Sequence, residues 1–351
     1  DLEFNETMCR TIAKYFKYFK GVVEGNGKRL SVCSPKTTCL FSSIYHSVIR
    51  NLKIHNNTGS RGLLLAEDVT HSTFQNVELS GVITVEESSG GFARTIQNVI
   101  FENCKVDIET KSVSSKKRVE DEGSEHSHFG AYVGVDLGGS KFVNCTVSGK
   151  VVSEVRVGGF CARSKGTTYE DCTIIDLDLK GQREAGFFAG NTDRNVNFRN
   201  CKILSSRISA GAYVGFIAGR SEGGLEIESL CLDDSFIAPD ITSSFVGGIA
   251  GTAKNIKLTN SIMSGGIIGH FVVAGICPDV EVSEVHGNTF DMTVTAIGYP
   301  PMMNHAYQLV REEYLTASGK DIFFNQSNNK INIEVTELEM EGLVNPFKES
   351  I

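Results

Sequence analysis

The sequence lacks tryptophan and has only six prolines in 351 residues, against 36 glycines. It also lacks any apolar run of about 18 residues, the length that a membrane-spanning helix needs. Proline removes a donor from a strand ladder, so a chain poor in proline and rich in glycine suits many strands joined by tight turns. The formal net charge of −8 argues against nucleic acid as a partner, because phosphate recognition needs a basic surface.

Motifs for catalysis and cofactors are missing as well. The chain has no nucleophile elbow, zinc-protease helix, phosphate-binding loop or dinucleotide fingerprint. Its ten cysteines form no CxxC pair, so the sequence predicts neither a metal site nor a cofactor. It begins at Asp1 without a charged and apolar leader, which favours a mature secreted form or part of a larger polypeptide or assembly.

A five-residue phrase framed by glycine recurs along the chain. Its clearest copies are residues 186–190 and 215–219, and it starts at positions 62, 90, 130, 159, 186, 215 and 247. The intervals of 28, 40, 29, 27, 29 and 32 residues are typical of solenoids. We therefore predict an all-β chain in which residues 21–298 form a right-handed parallel β-helix of about nine coils.

A second phrase follows each copy by about ten residues and places a small polar residue before Cys or an apolar residue. Period-2 alternation slips by one here, which predicts a corner with the polar residue turned inward. Amides stacked about 4.8 Å apart can bond to one another. The predicted ladder is Asn51, Asn76, Asn103, Asn144, Asp171, Asn200 and Asn260. The alternative is a set of unrelated β-sandwich strands with asparagine in their turns.

The segments outside the repeats predict caps and one loop. Residues 1–20 predict a helical N-terminal cap, because residues 6–19 place Met8 and Phe19 on one apolar face. Residues 299–351 predict a small α/β C-terminal cap or docking segment, because Pro300 and Pro301 interrupt the pattern. Within it we predict a short helix at 305–315 and strands at 322–324 and 331–335. The polar insertion at 111–128 lengthens one interval and predicts a projecting loop.

Candidate binding residues are basic side chains and histidines. Arg94, Arg163 and Arg220 follow the first phrase in different coils. They are candidates to line one edge and bind an anionic or sugar ligand, although the pattern favours the interpretation that they only decorate a turn. The insertion adds Lys116, Lys117, Arg118, His126 and His128. The alternatives for the insertion are a solvated loop without a role and a metal site at Glu125, His126 and His128. We predict that no metal binds.

Cysteines and sequons add further candidates. Cys33 and Cys39 bracket a short loop and are the disulfide candidates. The cysteines of the second phrase are predicted to be free and buried in a column: Cys104, Cys145, Cys172 and Cys201. Asn5, Asn56 and Asn325 are candidate glycosylation sites of a secreted glycoprotein, whereas Asn144 is predicted to be interior and unmodified.

The chain resembles secreted right-handed β-helix proteins that carry GLUG motifs, a pectin-lyase-like repeat family. The resemblance rests on residues 19–30 and 48–54, on residues 215–219 with Ile227, and on residues 186–190 with Asn200 and Cys201. It covers roughly residues 19–298. It departs at Arg94 and Arg163, which replace the closing glycine, and at the insertion after Ile108. The resemblance implies the architecture and carries no catalytic residues.

These observations predict a non-catalytic binding or adhesion module, or a rigid stalk, located outside the cell or at its surface. Its partner is a protein or glycan ligand, with no membrane span in this chain. The alternative is a carbohydrate-active enzyme, a polysaccharide lyase or hydrolase, because outward pairs such as Asp176 and Asp178 could act as acid and base. Such spacing is equally a solvated strand face. A second alternative is a structural subunit of a larger assembly.

Overall fold

A computed structural model of the protein describes residues 2–5, 8, 17–33, 39–61, 65–85, 89–112, 128–153, 155–238, 245–270, 272–298, 305–307 and 323–339. The strands are Leu2–Asn5, Tyr18–Phe19, Val22–Cys33, Phe41–Tyr45, Val48–Arg61, Ala66–Thr70, Thr73–Val85, Ser89–Gly90, Ala93–Gln97, Ile100–Glu102, Lys105–Ser112, His128–Gly130, Val133–Asp136, Lys141–Val143, Thr146–Val152, Arg156–Gly158, Cys161–Ser164, Thr168–Glu170, Thr173–Lys180, Glu184–Gly186, Ala189–Thr192, Val196–Arg199, Lys202–Leu204, Arg207–Ser209, Tyr213–Gly215, Ala218–Glu228, Cys231–Ile237, Phe245–Gly247, Ala250–Thr259, Ile262–His270, Val272–Ala274, Asp279–His286, Thr289–Gly298, His305–Tyr307, Phe323–Ser327 and Lys330–Glu339.

The strands form a parallel β-solenoid. One sheet has 28 strands and the other has eight, one from each of eight successive coils. The solenoid therefore has about eight turns, where the sequence predicted about nine. Because each coil pairs with the coil before and after it, the hydrogen bonds between strands run along the axis of the solenoid.

The coil from Cys161 to Gly186 shows the plan of one turn. Its four arms are Cys161–Ser164, Thr168–Glu170, Thr173–Lys180 and Glu184–Gly186. The first three arms belong to the large sheet and the fourth to the small one. Each arm pairs with the equivalent arm of its neighbours, so Ile174 lies opposite Val147 on one side and Ile203 on the other.

A residue with positive φ makes the corner between the second and third arms. Asn103, Asn144 and Asn200 have φ angles of 54, 51 and 53°. Asparagine tolerates this left-handed conformation better than most residues, which explains why a polar residue recurs here. The prediction that these side chains point inward is wrong, because Asn51 is half-buried and the other six predicted ladder residues are exposed. The slip in alternation comes from a left-handed residue that faces out.

Some corner amides nevertheless stack. The amide of Asn144 donates to Oδ1 of Asn103 at 2.7 Å, and that of Asn76 donates to Oδ1 of Asn51 at 2.9 Å. Asn51 in turn donates to Oε1 of Glu24 at 2.9 Å. This amide, together with the backbone N–H of Asn26 and the side chain of Arg50, lowers the pKa of the Glu24 carboxyl.

The residue after each corner points into the core. Cys104, Cys145, Cys172 and Cys201 are free and buried there, as predicted. The thiol of Cys145 donates to the carbonyls of Val143 and of Phe101 in the preceding coil, both at 3.4 Å. Near the C-terminal end the same inward position holds Asn288, which lies 3.1 Å from Oδ1 of Asn329. A partly buried amide contact therefore does exist, one residue after the corner.

Two stacks of aromatic rings fill the middle of the solenoid. Phe74, Phe101, Phe142, Tyr169 and Phe198 stack with centroids 4.8 to 5.2 Å apart. Phe92, Tyr132, Phe160 and Phe188 form a second stack at 5.0 to 5.3 Å. The two stacks meet edge to face, as Tyr132 does with Phe142, which is a favoured geometry for aromatic pairs. The rings come from the first phrase and from the second arm, and they lock successive coils together.

The first phrase is the bend between the fourth arm of one coil and the first arm of the next. A Cβ added at Gly186 would lie 2.3 Å from the carbonyl oxygen of Ala189 and 2.5 Å from the Cα of Ala218. Both contacts are with backbone, so a larger residue could enter only if the arms moved apart. The recurring glycine is thus explained by this close approach of two chain segments. Register also aligns Gly186 with Gly158, not Gly159, in the preceding coil.

The predicted N-terminal helical cap is not supported. Leu2–Asn5 is a strand that pairs with Leu30–Cys33, and Tyr18–Phe19 is a strand that pairs with Ser43 and Ile44. The ring of Phe19 contacts that of Phe41 at 5.2 Å, so at this end of the predicted helix strand pairing outweighs helical periodicity. Residues 6–7 and 9–16 lie outside the described residues.

The predicted α/β C-terminal cap is not supported either. His305–Tyr307, predicted to begin a helix, pairs as a strand with Val272–Ala274. The two predicted strands exist as Phe323–Ser327 and Lys330–Glu339, and both pair with coil strands. The prolines at 300 and 301 lie outside the described residues. Because the strands after them in the chain pair with coil strands, the solenoid continues beyond residue 298.

Candidate binding site

One column of side chains crosses five successive coils along the first arm. Register places Val135, Arg163, Asn191, Arg220 and Thr252 at equivalent positions. Arg163 and Arg220 are therefore two strand spacings apart, about 9.6 Å, with Asn191 between them. We call these three residues and Asp193, near which Arg163 ends, the arginine column.

Asp193 forms ion pairs with two basic residues next to the arginine column. Nη2 of Arg163 lies 2.6 Å from Oδ2 of Asp193, and Nζ of Lys165 lies 3.3 Å from the same oxygen. The side chain of Asp193 is only 11% exposed, so this ion pair is shielded more than a surface pair. Two cations on one carboxylate leave a local positive charge in a protein whose net charge is negative.

Three buried polar atoms in the arginine column have no hydrogen-bond partner. They are Nε of Arg163, Oδ1 of Asn191 and Oδ1 of Asp193. Asn191 is only 3% exposed as a whole. A buried polar atom without a partner costs about 1–3 kcal/mol, so such atoms in one place call for an explanation.

An aromatic pair borders the upper end of the arginine column. The guanidinium carbon of Arg220 lies 5.9 Å from the ring centroid of Tyr213, and this ring stacks on Phe245 at 5.6 Å. Both rings are half-buried. Arg220 also approaches Glu222, but only to 3.5 Å and with its side chain 44% exposed, so it is weakly held. The site thus combines a guanidinium, an amide and a flat apolar surface.

The fourth arm supplies a second column beside the first. His128, Arg156, Glu184 and Tyr213 occupy equivalent positions in successive coils. Arg156 pairs with Glu184, and its Nη1 lies 3.3 Å from Nε2 of His128. Arg220 contacts Tyr213, and Asn191 and Glu184 are the residues paired with these two in the preceding coil, so Asn191 lies at the level of Glu184. Glu184 and Asp193 are each paired with a cation, which suits the binding and orientation of a ligand.

The face formed by the second arms carries a different pattern. Lys141 lies 2.5 Å from Glu170, and Arg199 lies 4.0 Å from Glu228 in later coils. Lys141 lowers the pKa of the Glu170 carboxyl. A shallow groove of about 270 Å³ runs here between Asn197, Arg199, Glu226 and Lys257. None of the residues that line this groove has a buried polar atom without a partner, so this face offers a ligand less than the arginine column does.

The predicted binding residues are only partly brought together. Arg163 and Arg220 share a column, but Arg94 does not, because register puts Ala93 opposite Val133 and so places Arg94 one position earlier. His128 is not in a projecting loop, because it begins a strand and is 8% exposed. Lys111 and Ser112 likewise end a strand, so the insertion is shorter than predicted. Lys116, Lys117, Arg118 and His126 lie outside the described residues.

Two other predictions meet structural limits. Asn56 is 1% exposed and its amide donates to the carbonyl of Val82 at 2.6 Å, so it cannot carry a glycan in this fold. Asn144, predicted to be interior, is exposed at its corner. Cys39 is buried, whereas the side chain of Cys33 lies outside the described residues, as do those of Asn5 and Asn325. The Cys33–Cys39 bridge and those two glycans stay predictions.

One carboxyl is buried away from the arginine column. Asp136 is fully buried and accepts hydrogen bonds from the backbone of Gly138 at 2.9 Å, from Ser140 at 2.8 Å and from Thr167 at 2.5 Å. Burial raises its pKa, although these bonds partly offset the effect. The network continues from Thr167 to Ser164. Its inward position makes it part of the core and unsuited to act on a substrate.

No protein-family model and no curated protein matches this chain. In the described ranges no three metal-ligating side chains come close enough to hold an ion, and no helix there is long and apolar enough to cross a membrane.

Asn191, Asp193 and Tyr213 were missed by reasoning from the sequence. The signal that could have found them is the alignment of the first phrase on Gly158, Gly186 and Gly215, which puts Arg163, Asn191 and Arg220 in one register.

Proposed function

We propose that the protein is a non-catalytic binding module that works outside the cell or at its surface, as an adhesion module or a stiff stalk. The observation that supports it is the arginine column, where Arg163, Asn191 and Asp193 keep unused hydrogen-bonding atoms and Arg220 lies over the Tyr213 ring. Polar groups that converge next to an aromatic surface are typical of ligand sites.

The shape of the molecule supports the same proposal. Eight coils at about 4.8 Å each give a rod about 40 Å long whose lateral faces repeat in register. The two aromatic stacks and the parallel pairing make that rod stiff. The proposal extends to a right-handed coil and to kinship with GLUG-motif proteins, for which the glycine-framed phrases are the support.

The test is a binding and turnover assay on the same samples. The purified chain is applied to arrays of glycans and of extracellular proteins, and bound glycans are then analysed for new reducing ends and unsaturated products. We expect retention of a ligand without any product. Turnover that disappears in Asp193→Asn or Glu184→Gln would replace the proposal with a carbohydrate-active enzyme, and a complete lack of binding would refute it.

A further inference from the structure

We infer that the two ends of the solenoid bind each other, so that copies of this chain join head to tail into a longer rod. The partner is a second copy of the chain, and the contact forms by the addition of strands at open sheet edges. The inference adds a partner to the molecule and does not depend on a ligand at the arginine column. It starts from the side chains of the last coil.

Core positions are exposed in the last strand, Lys330–Glu339. Register places Ile331 and Val335 of this strand opposite Phe290 and Val294 of the coil before it, and those two residues are fully buried. Ile331 and Val335 therefore continue the core column, yet they are 40% and 37% exposed. Single apolar residues on a lateral surface are ordinary, but here the core itself ends in exposed side chains. A second layer of strands would cover them.

The backbone is open on one side at both ends of the described solenoid. At the C-terminal end, Phe323–Ser327 and Lys330–Glu339 each pair with the coil before them. At the N-terminal end, Leu2–Asn5 and residues 22–24 each pair with the coil after them. Within the described residues none of these four segments has a partner on its other side. Such an edge presents N–H and C=O groups that can pair with a strand of another chain.

The open strands at the two ends belong to the same arms of the coil. Traced through successive coils, Leu2–Asn5 and Lys330–Glu339 are both third arms. Residues 22–24 and Phe323–Ser327 are both second arms. A second copy placed on the same axis therefore continues the ladder arm on arm, in the parallel direction of the pairs within the chain.

The two ends carry opposite charge. Residues 17–33 contain four cations and one carboxylate, Glu24, a net charge of +3. The last strand contains one lysine and three glutamates, a net charge of −2. Unlike ends attract and like ends repel, so charge selects the head-to-tail arrangement. A contact between two different surfaces does not close on itself unless its rotation forms a ring, so it continues into a filament. The cations are all exposed: Lys17, Lys20, Lys28 and Arg29.

Sedimentation velocity of the full chain over a wide range of concentration tests the inference. We expect the mass to rise beyond the dimer with concentration, and electron microscopy should show unbranched rods whose lengths are multiples of about 40 Å. Ile331→Lys combined with Val335→Lys should keep the chain monomeric over the same range. Ile262→Lys is the matched control, because Ile262 is 59% exposed on the lateral face of a third arm, and it should associate as the wild type does.

A second variant blocks the N-terminal end without changing an apolar residue. Lys17→Glu, Lys20→Glu and Lys28→Glu together change the net charge of residues 17–33 from +3 to −3, which repels the acidic last strand. Alone, this variant should also be monomeric. Mixed in equal amounts, the two blocked variants should form a 1:1 dimer and nothing larger, because one open end of each kind remains. All substituted side chains are exposed, so the melting temperatures of both should match that of the wild type.

The remaining outcomes would overturn the inference. They are a monomeric wild type, growth that both blocked variants leave intact, or a mass that stops at the dimer because two like surfaces meet. If growth begins only after removal of residues 340–351, those residues cover the C-terminal end and a second copy is not its partner. If Ile262→Lys abolishes growth as fully as the blocked variants do, the contact lies on a lateral face.

Discussion

Replacement of Asn144 separates two reasons for asparagine at the corner. The residue has a φ of 51°, and its amide donates to Oδ1 of Asn103 at 2.7 Å while remaining exposed. The left-handed conformation costs an ordinary residue about 1–2 kcal/mol, more for a β-branched one, and costs glycine nothing. An exposed amide contact contributes at the lower end of about 0.5–1.5 kcal/mol. Conformation should therefore outweigh the amide contact.

Three variants turn this comparison into numbers. Asn144→Gly should stay within about 0.5 kcal/mol of the wild type, because relief of the backbone offsets the lost contact. Asn144→Asp should lose less than about 1 kcal/mol, because it keeps the tolerance of the left-handed region and loses only the donor. Asn144→Val should lose about 2 kcal/mol. Thr146→Val, two residues further along in a strand, is the control and should be nearly neutral.

Urea unfolding measures these differences as shifts of the transition midpoint at constant slope. Repeat proteins can unfold in stages, so hydrogen exchange at the amides of residues 141–150 should follow the same order of variants. Equal losses of about 1 kcal/mol in Asn144→Gly and Asn144→Val would show that the amide stack, and not the backbone, accounts for asparagine here.

Three further predictions test the bend, the core carboxyl and the thiols. Gly186→Ala should unfold several coils or abolish soluble expression, because its Cβ would meet backbone atoms at 2.3 and 2.5 Å. In the control Gly166→Ala the nearest atom is 3.8 Å away, so this variant should lose only about 1 kcal/mol of stability for its φ of 61°. Similar losses of stability in both variants would contradict the close-approach argument. Burial raises the pKa of Asp136, so the folded state holds this proton more tightly and the contribution of Asp136 to stability falls as pH rises from about 3.9. Asp136→Asn should remove this pH dependence, so the stability of the variant relative to the wild type should rise as pH rises from about 3.9. A difference in melting temperature between the two proteins that stays constant with pH would contradict this prediction. In native protein a thiol reagent, followed by peptide mass spectrometry, should modify half-buried Cys231 well before Cys161 and Cys277. The latter two thiols are buried, and burial raises their pKa values. Equal labelling of the three cysteines would contradict the burial of Cys161 and Cys277.

The repeat pattern in the sequence predicted the architecture but not the direction of its side chains. Two phrases held at constant spacing indicate a solenoid because only stacked coils require it, and the cysteine column follows from the same spacing. The orientation of Asn200 could not be read in this way. A one-residue slip in alternation arises equally from an inward residue and from a left-handed residue that faces out, and φ is not visible in the sequence.

The candidate site was predicted only in part for a similar reason. Arg163 and Arg220 were noticed as charges near a motif, but Asn191 became relevant only when the register of the first arm was known. An error of one residue in aligning Gly159 with Gly186 was enough to place Arg94 in the wrong column. The helix predicted at 6–19 shows the same limit, because Phe19 pairs with Ile44 and its ring contacts Phe41, and a contact between coils is not visible in a local pattern.

The direction of the hydrogen bonds between coils governs how the rod responds to tension. These bonds lie along the axis, so a pull applied to the two ends of the chain opens them from the outermost coil inward, one coil after another. Each released coil of about 28 residues adds roughly 90 Å of extended chain, many times the 4.8 Å of axis that it occupied. If the protein links two surfaces, it would lengthen stepwise under load and absorb mechanical work, with the coils held by the aromatic stacks yielding last.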